Sequence, residues 1–332
     1  MKPTFQKDDA LLADIARARS EGRARLWWLG QSGFLLHTPA GTVLFDPYLS
    51  DSLTTKYAGT DKPHTRVTER VIAPERLTGI DVITSSHNHT DHLDAETLLP
   101  LLATNPQAKL VIPRANRDFV LERLGREFPL TPTLSPSEGE REKHRQAAGK
   151  TSGAGNVVDR ASLSPLPRRG GEGQGEVNAR LNGCQLVELD EGESASVAGV
   201  EFHGIPAAHN TVERDEQGRC RFLGYVARVG GKTIYHSGDT LMHDGLVPAL
   251  ARFAPDVALV PINGNRPERR VAGNLNGREA AGLARAIGAR LAVPHHFDLF
   301  AFNTEPPDEF EAACHALGQP FRTLQNGEGV DL

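Results

Sequence analysis

The chain has 332 residues and a formal net charge of −5, from 37 Lys and Arg against 42 Asp and Glu. That length builds one large α/β domain or two small ones, and the mild acidity excludes a protein that grips nucleic acid through a broad basic face. Hydrophobic residues make up only 39% beside 33 Gly and 22 Pro, so part of the chain is less core-like than the rest.

Taken in order, residues Met1 to Asp9 lack the apolar run of a signal peptide. Asp8 to Arg19 puts Leu11, Leu12, Ile15 and Ala16 on one helical face, with Asp8 and Asp9 where the helix dipole favours acid. Short strands at Arg25 to Leu29, Phe34 to His37 and Thr42 to Phe45, punctuated by Gly30, Gly33, Pro39 and Gly41, read as an antiparallel meander. A strand at Asp81 to Thr84 runs into a histidine cluster. Asp94 then opens a helix carrying Leu98, Leu99 and Leu102, followed by a strand at Lys109 to Ile112 and a helix at Asn116 to Leu124.

The second half repeats this texture. Strand patterns cover Gln185 to Leu189, Ser194 to Phe202, Arg221 to Val229, Thr233 to His236, Val257 to Pro261 and Leu291 to Val293. Helices are expected near Leu246 to Phe253, Arg278 to Ile287 and Asp308 to Leu317. Two such halves predict an α/β fold of two sheets packed face to face with helices outside. Between them, Thr131 to Arg180 has no aromatic residue and little Leu, Ile or Val. Such a composition buries too little apolar area to offset its ordering entropy, which predicts a disordered insertion at about 131–180 in a single domain spanning 1–332.

Three scattered cysteines, Cys184, Cys220 and Cys314, exclude a disulfide scaffold and a thiolate zinc finger. No stretch of about 18 apolar residues occurs. The expected setting is the cytoplasm, with a small molecule as partner and neither membrane nor nucleic acid; a homo-oligomer is left open.

The sharpest signal is His87-Asn88-His89-Thr90-Asp91-His92, directly after an apolar strand. Imidazole and carboxylate are good metal ligands and poor core groups, so their density here points to a metal. In extended backbone His87 and His89 face the same side, while Asp91 and His92, at the bend before the helix, face a neighbouring position. One motif thus supplies ligands to two adjacent ions.

This His-x-His-x-Asp-His motif resembles that of the metallo-β-lactamase superfamily, whose αβ/βα sandwich of two mixed sheets flanked by helices fits the duplicated texture. The resemblance implies further ligands at later strand ends. His209, Asp239 in Tyr235-His236-Ser237-Gly238-Asp239-Thr240, and His295 or His296 in Val293-Pro294-His295-His296 follow in the required order. It implies that His87, His89 and His209 hold one ion, that Asp91, His92 and His296 hold the other, and that Asp239 bridges them. Relatives place the last ligand two residues after the proline, which favours His296. One or two divalent ions are expected, zinc first, with manganese or iron as alternatives. Asp46 resembles the superfamily's aspartate that supports the metal motif from behind; a plain strand-end Asp is the alternative. His236 reads equally as a group that orients a ligand and as a satisfied core histidine.

Such a pair of ions activates water and polarises a carbonyl or phosphoryl oxygen, with Asp91 as the catalytic proton acceptor, so the implied reaction is hydrolysis. Flavodiiron-type oxidoreductases resemble the superfamily but carry Glu where this chain has His89. Within the superfamily the chain is most similar to L-ascorbate-6-phosphate lactonase-like proteins. Trp28-Leu29-Gly30-Gln31-Ser32-Gly33-Phe34, Asp46-Pro47-Tyr48-Leu49-Ser50-Asp51 and Pro294-His295-His296-Phe297-Asp298 carry that likeness, which departs from the lactonase at Phe297. The expected activity is a lactonase or carboxylic-ester hydrolase acting on a small polar substrate, with or without a phosphate. Alternatives are a phosphodiesterase of the N-acylphosphatidylethanolamine phospholipase D-like type and a non-catalytic metal-dependent binding protein. Arg266, Arg269 and Arg270, in a basic loop after Pro261, are candidates to pair with a substrate phosphate or carboxylate.

Overall fold

The computed structural model describes residues 1–125 and 185–332; the expected insertion at 131–180 lies outside the described residues. The first half runs α1 (Asp8–Ser20), β1 (Arg25–Gly30), β2 (Gly33–Thr38), β3 (Gly41–Phe45), α2 (Ser52–Tyr57), β4 (Val82–Thr84), α3 (Ala95–Thr104), β5 (Lys109–Pro113) and α4 (Arg117–Gly125). The second runs β6 (Gln185–Leu189), β7 (Ser194–Val197), β8 (Val200–Pro206), β9 (Leu223–Val229) and β10 (Lys232–His236), then α5 (Leu246–Leu250), β11 (Val257–Pro261), α6 (Gly277–Ala286), β12 (Leu291–His295), α7 (Asp308–Leu317) and β13 (Gly329–Asp331).

Among the described residues these strands form two mixed sheets. One has the order β13-β1-β2-β3-β4-β5-β6 and the other β12-β11-β10-β9-β8-β7. Each joins an antiparallel meander to parallel strands: β3, β4, β5 and β6 pair in parallel in the first, and β10, β11 and β12 in the second. The expected fold class holds: two mixed sheets face each other with helices outside.

Side-chain alternation explains why β1 reads as a continuous apolar run. Leu26 and Trp28 point into the layer between the sheets, with Phe34, Phe45, Phe202, Tyr225 and Leu259. Trp27 and Leu29 point the other way, onto Leu11 and Ile15 of α1 and Leu98 and Leu101 of α3. Each fully buried side chain of this size contributes roughly 1.5–3 kcal/mol. Helix α6 starts on a capping box between Asn276 and Glu279, which satisfies two donors at its first turn.

Two local expectations change. Ser194 to Phe202 is two strands, because Ala198 (φ +48°) and Gly199 (φ +79°) turn the chain back between them. Ala16 is exposed, and α1 instead buries Asp14, whose carboxylate accepts from the Trp27 indole at 2.8 Å and from Gln6 at 3.0 Å. His64 has its ring against Tyr57 (4.6 Å), Phe300 (5.4 Å) and Phe302 (5.4 Å). No helix among the described residues is long and apolar enough to cross a membrane.

Candidate metal centre

The motif His87 to His92 fills the connection from β4 to α3, and its backbone is fixed from several sides. Ser85 N–H donates to the Val111 carbonyl at 2.9 Å, and Leu223 N–H donates to the Ser86 carbonyl at 3.0 Å. Arg123, from α4, donates to the carbonyls of Asn88 and Leu93, each at 2.9 Å. His209 follows β8, Asp239 follows β10 and His296 follows β12, so strand ends of both sheets converge on the motif. The turn carrying Asp239 needs Gly238: at φ +59°, a β-carbon there would stand 2.6 Å from Ser86 Cβ.

The seven side chains expected as ligands come together. Ligand atoms of His87, His89 and His209 lie within 4.8 Å of one another, as do those of Asp91, His92 and His296, and those of His87, His92 and Asp239. Asp239 stands between the first two groups. Its Oδ2 is 3.6 Å from His209 Nε2 and 3.4 Å from His296 Nε2, and its Oδ1 is 3.3 Å from His92 Nε2. Two tetrahedral ligands each about 2.0–2.2 Å from one zinc lie about 3.3–3.6 Å apart, so these separations fit shared ions.

Hydrogen bonds fix which nitrogen of three of the rings faces inward. His92 Nδ1–H donates to Asp46 Oδ2 at 2.7 Å, His209 Nδ1–H to the Gly273 carbonyl at 2.9 Å, and His87 Nδ1–H to Ser86 Oγ at 3.0 Å. Ser86 Oγ in turn donates to Asp46. Each Nε2 is thereby left as a lone-pair donor toward the centre. His87 Nε2, His92 Nε2 and Asp239 Oδ1 are buried with no hydrogen-bond partner, an arrangement too costly to keep unless a cation satisfies it. The donor set of nitrogen and oxygen suits zinc, manganese or iron alike.

Electrostatics divides the cluster. Burial pulls His87 well below its ordinary value, with His92 and His89 adding to it, and burial with His209 brings His89 down to about 3. Burial also lowers His209. These three rings are neutral at pH 7, as ligands must be. Burial opposes charge on His92 and His296 too, but Asp239 and Asp91 outweigh it and raise both. The second group therefore selects positive charge.

Asp46 is the supporting aspartate that the resemblance pointed to, not a plain strand end. Fully buried at φ +37°, it accepts from Thr84 Oγ1 at 2.8 Å and Ser86 N–H at 3.1 Å besides His92. His236 combines both of its readings. Its Nε2–H donates to the Ser32 carbonyl at 2.8 Å, and its Nδ1 accepts from Gly238 N–H at 3.1 Å, so a satisfied core ring holds the Asp239 turn. It is His296 whose ring joins the cluster. His295 is buried against Ser32 Oγ at 3.1 Å and stacks on His236 at 5.3 Å. Phe297, the departure from the lactonase pattern, stacks on Trp28 at 4.6 Å.

The arginines present a different arrangement from the expected one, since each already has a carboxylate of this chain. Arg266 Nε is 2.6 Å from Glu305, Arg269 pairs with the same Glu305, and Arg270 pairs with Asp61. Arg269 also donates to the carbonyls of Asn263 at 2.5 Å and Thr304 at 3.0 Å, which makes it a strut for its loop. Two further residues line the centre. Phe222 lies against His87 (5.0 Å), His89 (5.8 Å) and His209 (5.6 Å), walling the three-histidine group with apolar surface. Gln31 donates to Asp91 Oδ2 at 2.9 Å.

Residues 25–296 match the family model described as the beta-lactamase superfamily domain. A UPF0173 metal-dependent hydrolase of Opitutus terrae is 26% identical, covering 93% of this chain and 100% of its own. Another, from Rubrobacter xylanophilus, is 27% identical over 90% of this chain and 91% of its own. Among solved structures, a metallo hydrolase from the hyperthermophilic archaeon Ignicoccus hospitalis KIN4/I superposes with a TM-score of 0.54 at 18% identity, covering 93% of this chain and 98% of that one.

Proposed function

The chain belongs to the beta-lactamase superfamily, and from that premise we propose that it is a metal-dependent hydrolase that cleaves a lactone or carboxylic ester in a small polar substrate. The observation that carries the reading is the convergence of five histidines and two aspartates, with Asp239 3.4–3.6 Å from a histidine of each group. His87, His89 and His209 would hold one divalent ion, Asp91, His92 and His296 a second, and Asp239 both. When bound, the ions supply Lewis acidity and a nucleophile at neutral pH.

The chain's own residues do the rest. Asp91 keeps 16% of its side chain exposed, against 3% for Asp239, and so is the carboxylate that can meet substrate and take a proton from the attacking water. Phe222 excludes water from the three-histidine side and strengthens electrostatic interactions there. Of the three arginines, Arg266 and Arg270 expose 52% and 65% of their side chains and can exchange an internal carboxylate for a substrate anion. Arg269, at 14%, stays with its loop.

Purified protein offered lactones, their phosphorylated forms and bis-phosphodiesters tests the reading. Hydrolysis of a lactone or ester, abolished by chelation and restored by zinc or manganese, is the expected result. Turnover untouched by chelation, or confined to phosphodiesters, overturns it. Metal content separates the adjacent histidines. His296→Ala loses one equivalent, whereas His295→Ala keeps both and lowers the melting temperature, because its ring fills the buried space between Ser32, Ser237 and His236.

A further inference from the structure

Gln31 stands in the two-residue turn between β1 and β2. Its backbone lies at φ +48°, in the left-handed region that residues with a β-carbon avoid, directly after Gly30 at φ +99°. Such strain persists where surrounding contacts over-determine it. The Gln31 carbonyl accepts from the Trp28 indole at 3.0 Å and from the His296 amide at 3.0 Å. Through Ser32, the same turn is bonded to His236 and His295. The tip of the first sheet's hairpin is thus fixed to the ends of β10 and β12 in the second.

The side chain, only 3% exposed, does something a turn does not require. Its amide donates to Asp91 Oδ2 at 2.9 Å. The same nitrogen lies 3.0 Å from Nε2 and 3.3 Å from Nδ1 of His296. Near-equal distances to both ring nitrogens put the amide over the face of the imidazole, off either in-plane lone pair. A carboxylate has about four lone-pair sites, so one N–H leaves Asp91 free to ligate as well. Gln31 therefore touches two members of one group and consumes the ligand capacity of neither.

We propose that Gln31 is a positioning residue for the Asp91–His92–His296 group: its amide clamps the Asp91 carboxylate to the His296 ring so that both face the position of the second divalent ion. The inference rests on the two-ion reading and deepens it by assigning the second ion's affinity to a residue that does not ligate it.

Stepwise zinc titration of the chelator-treated full-length protein, against a competing chromogenic chelator, resolves the two equivalents. Gln31→Gly suits the positive φ and removes the whole side chain, its amide included. Gln31→Glu keeps the length but sets an acceptor against an acceptor. Both variants are expected to bind the first equivalent with wild-type affinity and the second about 10–100-fold more weakly, a range typical for groups that orient ligands. Gln31→Gly in its metal-free form is expected to melt near the wild type, because relief of the positive φ offsets the buried contacts that are lost. Wild-type affinity for both equivalents in the two variants overturns the proposal, and so does equal weakening of both equivalents, which is what a merely structural turn gives. A wild-type protein that takes up no second equivalent overturns the two-ion reading itself, and this inference with it.

Discussion

Asp91→Asn leaves a folded protein whose kcat falls about 10²–10⁴-fold, the range for losing a positioned proton acceptor. Burial works against ionisation of Asp91, and the neighbouring Asp239 adds to that, but His92 and His296 outweigh both and hold its carboxyl below the usual range. It is therefore ionised at neutral pH and able to accept. Asparagine has nearly the same shape, and its carbonyl still accepts from Gln31, so the clamp on His296 stays. Lost are the negative charge and the ability to take a proton. The three-histidine group does not touch this side chain's chemistry, so the first metal equivalent stays. Steady-state kinetics beside elemental analysis and a melting curve checks this. A variant that retains its metal and turns over within tenfold of the wild type removes Asp91 from the proton-accepting role.

What the sequence made legible follows from how local each feature is. His87 to His92 packs three imidazoles and a carboxylate into one connection, and no other use of such a run is as economical. His209, Asp239 and His296 are single residues at strand ends, indistinguishable from ordinary loop residues without the family pattern. Phe222 was invisible because Arg221-Phe222-Leu223 looks like the start of any strand; its contact with three histidines exists only once β8 and β9 lie beside β4. The arginines show the opposite pattern. Their charge is plain in the sequence, but Arg269 finds its carboxylate 36 residues away and Arg270 finds its own 209 residues away, so nothing nearby marked them as engaged. Ser194 to Phe202 read as one strand because Ala195 and Val197 alternate before Ala198 and Val200 and Phe202 after it; the phase shifts between them, where the positive φ of Ala198 turns the chain. His295 and His296 are neighbours in a strand-end pair, and which ring turns outward depends on the backbone: His296 sits at φ +63°, past the last paired residue of β12.

Asp46 carries the second large effect, and it separates stability from metal binding. Its carboxylate serves the Thr84 hydroxyl, the Ser86 amide and hydroxyl, and His92 Nδ1–H in a space closed to solvent. Burial raises its pKa, yet His236, His92 and Ser86 outweigh that and keep it below the usual range. Asp46→Ala strands four donors at once. Breaking a buried charged network in this way costs about 3–5 kcal/mol, which for a domain of this size lowers Tm by on the order of 10 °C. Asp46→Asn is the sharper variant. Its carbonyl can still accept from Thr84 and Ser86, so most of the stability remains. Its NH₂ now faces His92 Nδ1, and the ring avoids a donor–donor clash only by moving its proton to Nε2. That nitrogen then has no lone pair for an ion. The second metal equivalent should weaken about 10–100-fold in a protein that is still folded. Nitrogen chemical shifts of the His92 ring, read together with the metal titration, give both halves of the result. If Asp46→Asn binds two equivalents with wild-type affinity while the ring proton stays on Nδ1, then Asp46 supports the fold alone and does not set the ligand.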